Sequence, residues 1–130
     1  MKVVLDASVA VHVVVGGPLA AAARRRLSGT APVAPALIDT EVMSALARLE
    51  RARQLTTAQA DDALDAWSGF PCERLDTSGL VAHVWALRGR VRIADAAYVA
   101  LAIALDAPLL TADRRLIGAH VPGVSILLVQ

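Results

Sequence analysis

Residues 3–6 read Val-Val-Leu-Asp, and residues 109–113 read Leu-Leu-Thr-Ala-Asp. Each stretch is a short apolar run of the kind that forms a buried strand, and each run leads to an aspartate. The chain between them alternates short apolar runs with longer segments in which apolar residues recur at helical spacing. This alternation predicts an α/β fold in three layers, with a mostly parallel central sheet flanked by helices.

Further predicted elements extend outward from these two stretches. Additional strands are expected at residues 32–35, 72–75 and 125–129. Because no linker or repeat divides the 130 residues, residues 1–130 are expected to form a single domain. Helices are predicted over residues 7–15, 19–27, 38–49, 78–88, 93–105 and 114–119, and one more begins at Thr56 or Thr57 and ends before Phe70-Pro71.

The composition limits the class of protein. Hydrophobic residues make up 56% of the chain but aromatic residues only 3%, so Ala, Val and Leu must build the core. Cys72 is the single cysteine, which excludes an internal disulfide. Asp6 interrupts the apolar N-terminal stretch, and Gly16-Gly17-Pro18 breaks the longest uncharged one, so neither an export signal nor a membrane span is predicted. These features predict a cytoplasmic protein.

The net charge of +1 gives no general argument for binding nucleic acid. Twelve of the thirteen basic residues are arginine, and Lys2 is the only lysine. Arginine suits bidentate contacts to phosphate, although a GC-rich genome would explain the same bias.

Four acidic residues are candidates for one site. Asp6 and Asp113 each follow a strand, and ligands of open parallel sheets bind beyond the carboxyl ends of the strands. Asp95 lies in the first turn of a helix, and Glu41 lies on another helix. Taken alone, each has an ordinary interpretation: Asp6 and Asp113 as helix caps, Asp95 as a partner of the helix dipole, and Glu41 as part of a solvated face.

Asp39 competes with Glu41 for this role. Two residues on a helix are separated by about 200° of rotation, so the two carboxylates cannot point at one place. Asp39 is nearer the start of its helix, where an interaction with the helix dipole suits it. Glu41 is therefore the preferred candidate.

Clustered carboxylates favour metal-assisted hydrolysis of phosphodiester bonds. Their hard oxygen atoms suit Mg²⁺ or Mn²⁺. The sequence has no His/Cys set at zinc spacing and no glycine-rich phosphate loop. Four converging carboxylates should repel one another when no cation is bound, so we expect Asp113→Asn to raise stability in the absence of metal.

The pattern resembles the PIN-domain ribonucleases, in particular the VapC-type toxins of type II toxin–antitoxin systems. Each matching piece is short, but the four occur in the family order and span nearly the whole chain. They are Val-Leu-Asp6-Ala-Ser8-Val, Glu41-Val-Met-Ser-Ala-Leu, Ala94-Asp95-Ala-Ala-Tyr98-Val-Ala-Leu-Ala and Leu-Leu-Thr111-Ala-Asp113-Arg-Arg-Leu.

The resemblance implies a parallel sheet with the first strand central, and a homodimeric endoribonuclease that cleaves RNA with Mg²⁺ or Mn²⁺ and is neutralised by a small antitoxin. It assigns the family's four acidic positions to Asp6, Glu41, Asp95 and Asp113. Ser8 and Thr111 match the hydroxyl positions that hold carboxylates or water. Arg115 departs from the pattern, because many relatives carry an acid there, and this leaves open whether one ion or two operate.

Several arginines are candidates for RNA contact, with a solvated surface as the alternative interpretation. They are Arg92, Arg114 and Arg115, together with the neighbouring Arg88 and Arg90. Arg24, Arg25 and Arg26 form a further group, for which the solvated surface is the preferred interpretation.

Three other functions were weighed. A signalling receiver domain would need an acidic pair after the first strand and a late lysine, and a phosphatase of similar fold would need an aspartate at position 8, where Ser8 stands. A catalytically weak PIN fold that serves as an RNA-binding or regulatory module remains the principal alternative.

Overall fold

The computed structural model describes residues 1–130. Five strands form one sheet in which every pairing is parallel, so the prediction of a mostly parallel sheet is confirmed. The strands are β1 (Lys2–Leu5), β2 (Ala31–Pro35), β3 (Glu73–Leu75), β4 (Leu109–Thr111) and β5 (Ile126–Leu128). Their order is β3-β2-β1-β4-β5, which confirms that β1 is central.

Seven helices flank the sheet, at nearly the predicted positions. Residues 78–88 differ, because they form a 3-10 turn (Ser78–Leu80) followed by a short helix rather than one continuous helix. Gly79 and Gly89 lie at the two ends of this segment, where glycine disfavours helix. The helices are α1 (Ala7–Val15), α2 (Ala20–Leu27), α3 (Ile38–Arg51), α4 (Thr57–Ser68), α5 (Val81–Ala86), α6 (Ile93–Leu105) and α7 (Arg114–Gly118).

Small side chains build the core, as the composition indicates. A cluster of 27 buried residues surrounds the sheet. In α6 every residue from Ala96 to Ala102 is buried, which lets this alanine-rich helix pack closely on the sheet. Val4, Leu5 and Leu109 in the two middle strands are completely buried. The carboxyl ends of these strands are thereby held at a fixed place against the helices.

No single helix has both the length and the apolar character needed to cross a membrane. Together α1 and α2 would reach that length and hydropathy, but their axes meet at 119°.

Asp39 has a structural role that its place on the helix did not reveal. Its carboxylate accepts a hydrogen bond of 2.8 Å from Nε1 of the buried Trp67 and pairs with Arg74 at 2.9 Å. The Arg74 guanidinium also lies 4.5 Å above the Trp67 ring. These contacts fasten α3 to α4 and β3, so the expected dipole role is not the main one.

We expect Asp39→Asn to lower the free energy of unfolding by about 1 kcal/mol at pH 7, since charge-assisted hydrogen bonds are lost at a partly exposed site. The Arg74 hydrogen bonds, followed by the Trp67 bond, hold the pKa of Asp39 below its ordinary 3.8. A lowered pKa gives stability that is present above pH 3.8 and lost as the pH falls through the folded-state value.

Urea unfolding between pH 7 and pH 3 should therefore show the difference between wild type and Asp39→Asn shrinking at the acidic end. Asp62→Asn is the matched control, because Asp62 is exposed on α4. An equal difference at all pH values would show that the Asp39 carboxylate charge is not what stabilises this contact.

Candidate active site

The ends of β1 and β4 place Asp6 and Thr111 beside each other. Leu5 is paired with Leu110, and the Asp6 amide donates to the Leu110 carbonyl at 3.0 Å. Because the strands are parallel, the residues that follow them emerge at the same edge of the sheet. Asp113 follows β4 at this edge and begins α7.

Two hydroxyl groups hold the Asp6 carboxylate. Ser8 donates to Oδ2 at 2.5 Å and Thr111 donates to the same atom at 2.8 Å. The Ala112 amide in turn donates to the Ser8 hydroxyl at 3.0 Å, which fixes its position. Both hydroxyl bonds end on Oδ2, so Oδ1 is left without a hydrogen-bond donor, and it is not sealed from solvent.

Asp6 is not a helix cap. It occupies the N-cap position of α1, but its side chain makes no capping hydrogen bond, so that interpretation is wrong for this residue. Burial is the main cause that raises the pKa of Asp6, and the charges of Asp95 and Glu41 add to the effect. The Ser8 and Thr111 hydrogen bonds oppose the rise without cancelling it. An aspartate kept buried without a capping role is a candidate for a functional one.

Glu41 is held by Tyr98 from the facing helix. The Tyr98 hydroxyl donates to Oε1 of Glu41 at 2.7 Å, and Tyr98 itself is completely buried. Burial, followed by the Glu41 contact, raises the pKa of Tyr98, so its hydroxyl keeps the proton that it donates. Glu41 takes part in no ion pair, so Tyr98 is its only side-chain partner.

The other two acids are paired with arginines. The Arg92 Nε atom lies 3.0 Å from Asp95 Oδ2. The Arg115 guanidinium spans both oxygens of Asp113, with Nε 3.1 Å from Oδ1 and Nη2 2.8 Å from Oδ2. Asp113 also caps α7, because its Oδ1 accepts from the Arg115 amide at 2.9 Å. The capping interpretation is therefore confirmed for Asp113.

These pairs change the expected electrostatics of the site. Burial is the main cause that raises the pKa of Asp6, and repulsion by Asp95 and Glu41 is a smaller one. For Asp113 the Arg115 hydrogen bonds have the opposite effect and hold the pKa of that carboxyl below its ordinary value. The Arg115 contacts therefore favour the opposite of the sequence-based expectation, namely that Asp113→Asn destabilises the metal-free protein.

All four predicted acids line a single cleft of about 650 Å³. Ser8, Arg92 and Arg115 also line this cleft, whereas Thr111 supports Asp6 from beneath as a fully buried residue. Arg114 lies elsewhere, because its side chain donates to Gln130 at 3.3 Å. The acids are Asp6 after β1, Glu41 on α3, Asp95 on α6 and Asp113 before α7.

The cleft has the donor atoms of a divalent cation site but not their spacing. Its donors are hard carboxylate oxygens, which suit Mg²⁺ or Mn²⁺. The spacing of these oxygens does not match a metal site in this structure, because no three His, Cys, Asp or Glu side chains lie close enough together to hold one ion. Of the four acids, only Asp113 has both oxygens held by an arginine, while Asp6, Glu41 and Asp95 each keep one oxygen free of a hydrogen-bond donor.

Sequence reasoning missed three residues of the site. Tyr98 was not predicted to be a site residue, although it follows Asp95 by three residues and so shares its face of the helix. That spacing was the available signal. Arg48 and His12 also line the cleft, and helical spacing places Arg48 on the face of Glu41, seven residues earlier. No comparable signal marked His12.

The sequence of this chain is similar to known proteins over most of its length. The family model described as PIN domain matches residues 3–120. Ribonuclease VapC3 of Mycobacterium tuberculosis is 43% identical over 116 residues, covering 88% of this chain and 85% of that protein. Ribonuclease VapC1 of the same species is 42% identical over 123 residues, covering 93% of this chain and 91% of that protein.

One solved structure has the same fold. It is the crystal structure of VapBC2 from Rickettsia felis bound to a DNA fragment from their promoter. The TM-score is 0.70 at 15% sequence identity, and the match covers 97% of both chains. This likeness confirms the three-layer α/β architecture.

The contrast between Asp6 and Asp113 gives a prediction for stability. In EDTA at pH 7, Asp6→Asn should melt higher than wild type, because the substitution removes a buried charge and retains an oxygen that can accept the hydroxyl bonds. Asp113→Asn should melt lower, because it breaks the Arg115 pair and weakens the cap, at a cost of about 1 kcal/mol.

Thermal melts of the two variants provide the measurement, and each variant serves as the control for the other, since both lose one negative charge. If both variants shift in the same direction, general charge repulsion governs the cleft, and the individual contacts do not.

Proposed function

The chain belongs to the PIN-domain family, in the branch that contains the VapC ribonucleases, and on that premise we propose that it is an endoribonuclease and the toxin of a type II toxin–antitoxin pair. The observation that carries this proposal is the single cleft lined by Asp6, Glu41, Asp95 and Asp113. The identity of 42–43% to proteins named ribonuclease VapC supports RNA as the substrate.

In this proposal, Asp6 and Glu41 form the fixed part of the reaction centre. Ser8 and Thr111 hold one oxygen of Asp6, and Tyr98 holds one oxygen of Glu41, so the remaining oxygens are oriented in advance. A preset orientation avoids the cost of arranging these groups during the reaction. These free oxygens are suited to orienting a water molecule for attack on the phosphodiester phosphorus.

We propose that the four acids bind a Mg²⁺ or Mn²⁺ ion. Asp95 and Asp113 would first have to release the arginines with which they are paired. Such an ion, if these carboxylates held it, would supply positive charge to offset that of the phosphate. The hard oxygens of the donor set support this proposal. The present side-chain arrangement does not assemble such a site, so the exchange of partners is a necessary part of the proposal.

Glu41→Gln should reduce RNA cleavage on the order of 10²-fold or more, because it removes a cleft carboxylate whose position Tyr98 fixes. Asp39→Asn is the matched control: it lies two residues away on the same helix, loses the same charge and contacts Trp67 and Arg74 instead of the cleft. We expect the activity of this variant to stay within about fivefold of wild type. A tenfold loss would correspond to about 1.4 kcal/mol of transition-state stabilisation.

The measurement is cleavage of labelled RNA with Mg²⁺, with Mn²⁺ and with EDTA. Equal losses in the two variants would place the reaction away from the cleft. Absence of cleavage by the wild type with either ion would favour the alternative, a catalytically weak PIN fold that binds RNA or serves regulation.

We also propose a small antitoxin protein as a partner, with the toxin acting on RNA in the cytoplasm. The support is membership of the family that includes the VapC ribonucleases. Expression of the chain alone in bacteria should arrest growth, whereas Glu41→Gln expressed to the same level should not. Unimpaired growth with the soluble wild-type chain would contradict the assignment as a toxin.

A homodimer is the proposed assembly. Val81, Trp85 and Ile93 are exposed by 67%, 59% and 50%, and together they line an apolar groove between α5 and α6. An exposed apolar surface of this kind marks a protein interaction site. Light scattering of the purified chain should give twice the 13.6 kDa of one chain, and a monomer would contradict the assembly.

A further inference from the structure

A second, basic pocket opens beside the acidic cleft. It has a volume of about 340 Å³ and lies between the segment that joins α5 to α6 and the start of α7. Four of its eight lining residues are arginines, and its single acid, Asp95, is already paired with Arg92. The arginines are Arg88, Arg90, Arg92 and Arg115.

Two of the four arginines in this pocket have no acidic partner in the protein. The chain has three ion pairs, and neither Arg88 nor Arg90 takes part in any of them. Arg92 and Arg115 are paired with Asp95 and Asp113, so the uncompensated charge of the pocket is +2, from Arg88 and Arg90. In a chain whose total charge is only +1, this is a local concentration of positive charge. Such a concentration attracts polyanions.

Arg88 is held in place before any ligand arrives. Its guanidinium lies 4.4 Å above the ring of Trp85, and its Nη1 atom donates to the Trp85 carbonyl at 2.9 Å. Stacking and one hydrogen bond thus fix the plane of the group, while its other N–H donors have no acceptor in the protein. A fixed guanidinium loses less entropy when it binds an anion, and its geometry matches phosphate oxygens.

The basic pocket is continuous with the acidic cleft. Arg92, Asp95 and Arg115 line both of them. A chain of phosphates with one group at the acids would therefore place a neighbouring group at the arginines. Arg88 and Arg90 line only the basic pocket, so they can be changed without altering the lining of the cleft.

We propose that the basic pocket binds the RNA backbone through phosphate groups next to the bond that is cleaved, with Arg88 and Arg90 as the principal contacts. This inference rests on the proposed function, since it names how the same cleft receives its substrate. Arg88 and Arg90 supply affinity and placement, and the chemistry stays with the acids. Arg24, Arg25 and Arg26 line neither site, and they serve as the comparison.

The test measures binding of a fluorescent single-stranded RNA to the full chain by anisotropy, with Mg²⁺ present and KCl varied. Glu41→Gln is the common background, so that the RNA stays intact. Adding Arg88→Ala or Arg90→Ala should weaken binding by about 3- to 10-fold and reduce the slope of log affinity against log salt by about 0.7 to 1. Adding Arg25→Ala, the matched loss of one exposed arginine on α2, should change affinity by less than about twofold.

The outcomes separate this inference from the proposed function. If the wild type cleaves RNA but Arg88→Ala and Arg90→Ala bind no more weakly than Arg25→Ala, the pocket inference is wrong and the ribonuclease assignment stands. If Arg88→Ala and Arg90→Ala weaken RNA binding but the wild type cleaves no RNA, the pocket inference is supported and the ribonuclease assignment is contradicted.

A third arm tests an acidic protein as the occupant. The probe is a fluorescent poly-glutamate peptide whose charge equals that of the RNA. The proposal would be overturned if Arg88→Ala and Arg90→Ala weakened binding of the peptide but left binding of the RNA unchanged. A preference for RNA that both substitutions remove would support it.

Discussion

The parallel pairing of β1 with β4 is the interaction on which the cleft depends. Val4 lies opposite Leu109 and Leu5 opposite Leu110, and these side chains are at most 1% exposed. A shift of the pairing by one residue would move each buried side chain to the opposite face of the sheet, where it would meet the wrong helical layer, so core packing fixes the strand register. The same register sets the Thr111 hydroxyl against the Asp6 carboxylate. The energy that holds the sheet together thereby also fixes the position of the acid.

This arrangement has a cost, because it buries a carboxylate. Loss of solvent raises the pKa of Asp6, and the nearby acids add to the rise. Two hydroxyl donors offset part of the cost without neutralising the charge. A residue selected only for stability at this position would cap α1 or would be uncharged. The fold instead keeps an anion where it is expensive, which is typical of a functional site.

The fold and the four acids could largely be predicted from the sequence, because both depend on local patterns. Short apolar runs mark buried strands, and the rotation between Asp39 and Glu41 separates their faces. The contacts of Asp39 could not be predicted, since Arg74 lies 35 residues further along the chain. Arg115 lies only two residues after Asp113, but their ion pair could not be predicted either. It depends on the side-chain rotamer of Arg115, which the backbone and the surrounding residues determine.

The structure uses two different means to hold its four acids. Neutral hydroxyl groups hold Asp6 and Glu41, which orients these carboxylates and leaves their negative charge available. Guanidinium groups hold Asp95 and Asp113, which orients them and cancels most of their charge. Tyr98 is sealed in the core, whereas the side chains of Arg92 and Arg115 are 66% and 73% exposed. Exposed ion pairs are weak and open easily, while buried hydroxyl bonds do not. The cleft therefore combines two carboxylates that neutral hydroxyl groups orient with two whose charge becomes available when a ligand draws their arginines away, and those arginines already face the basic pocket.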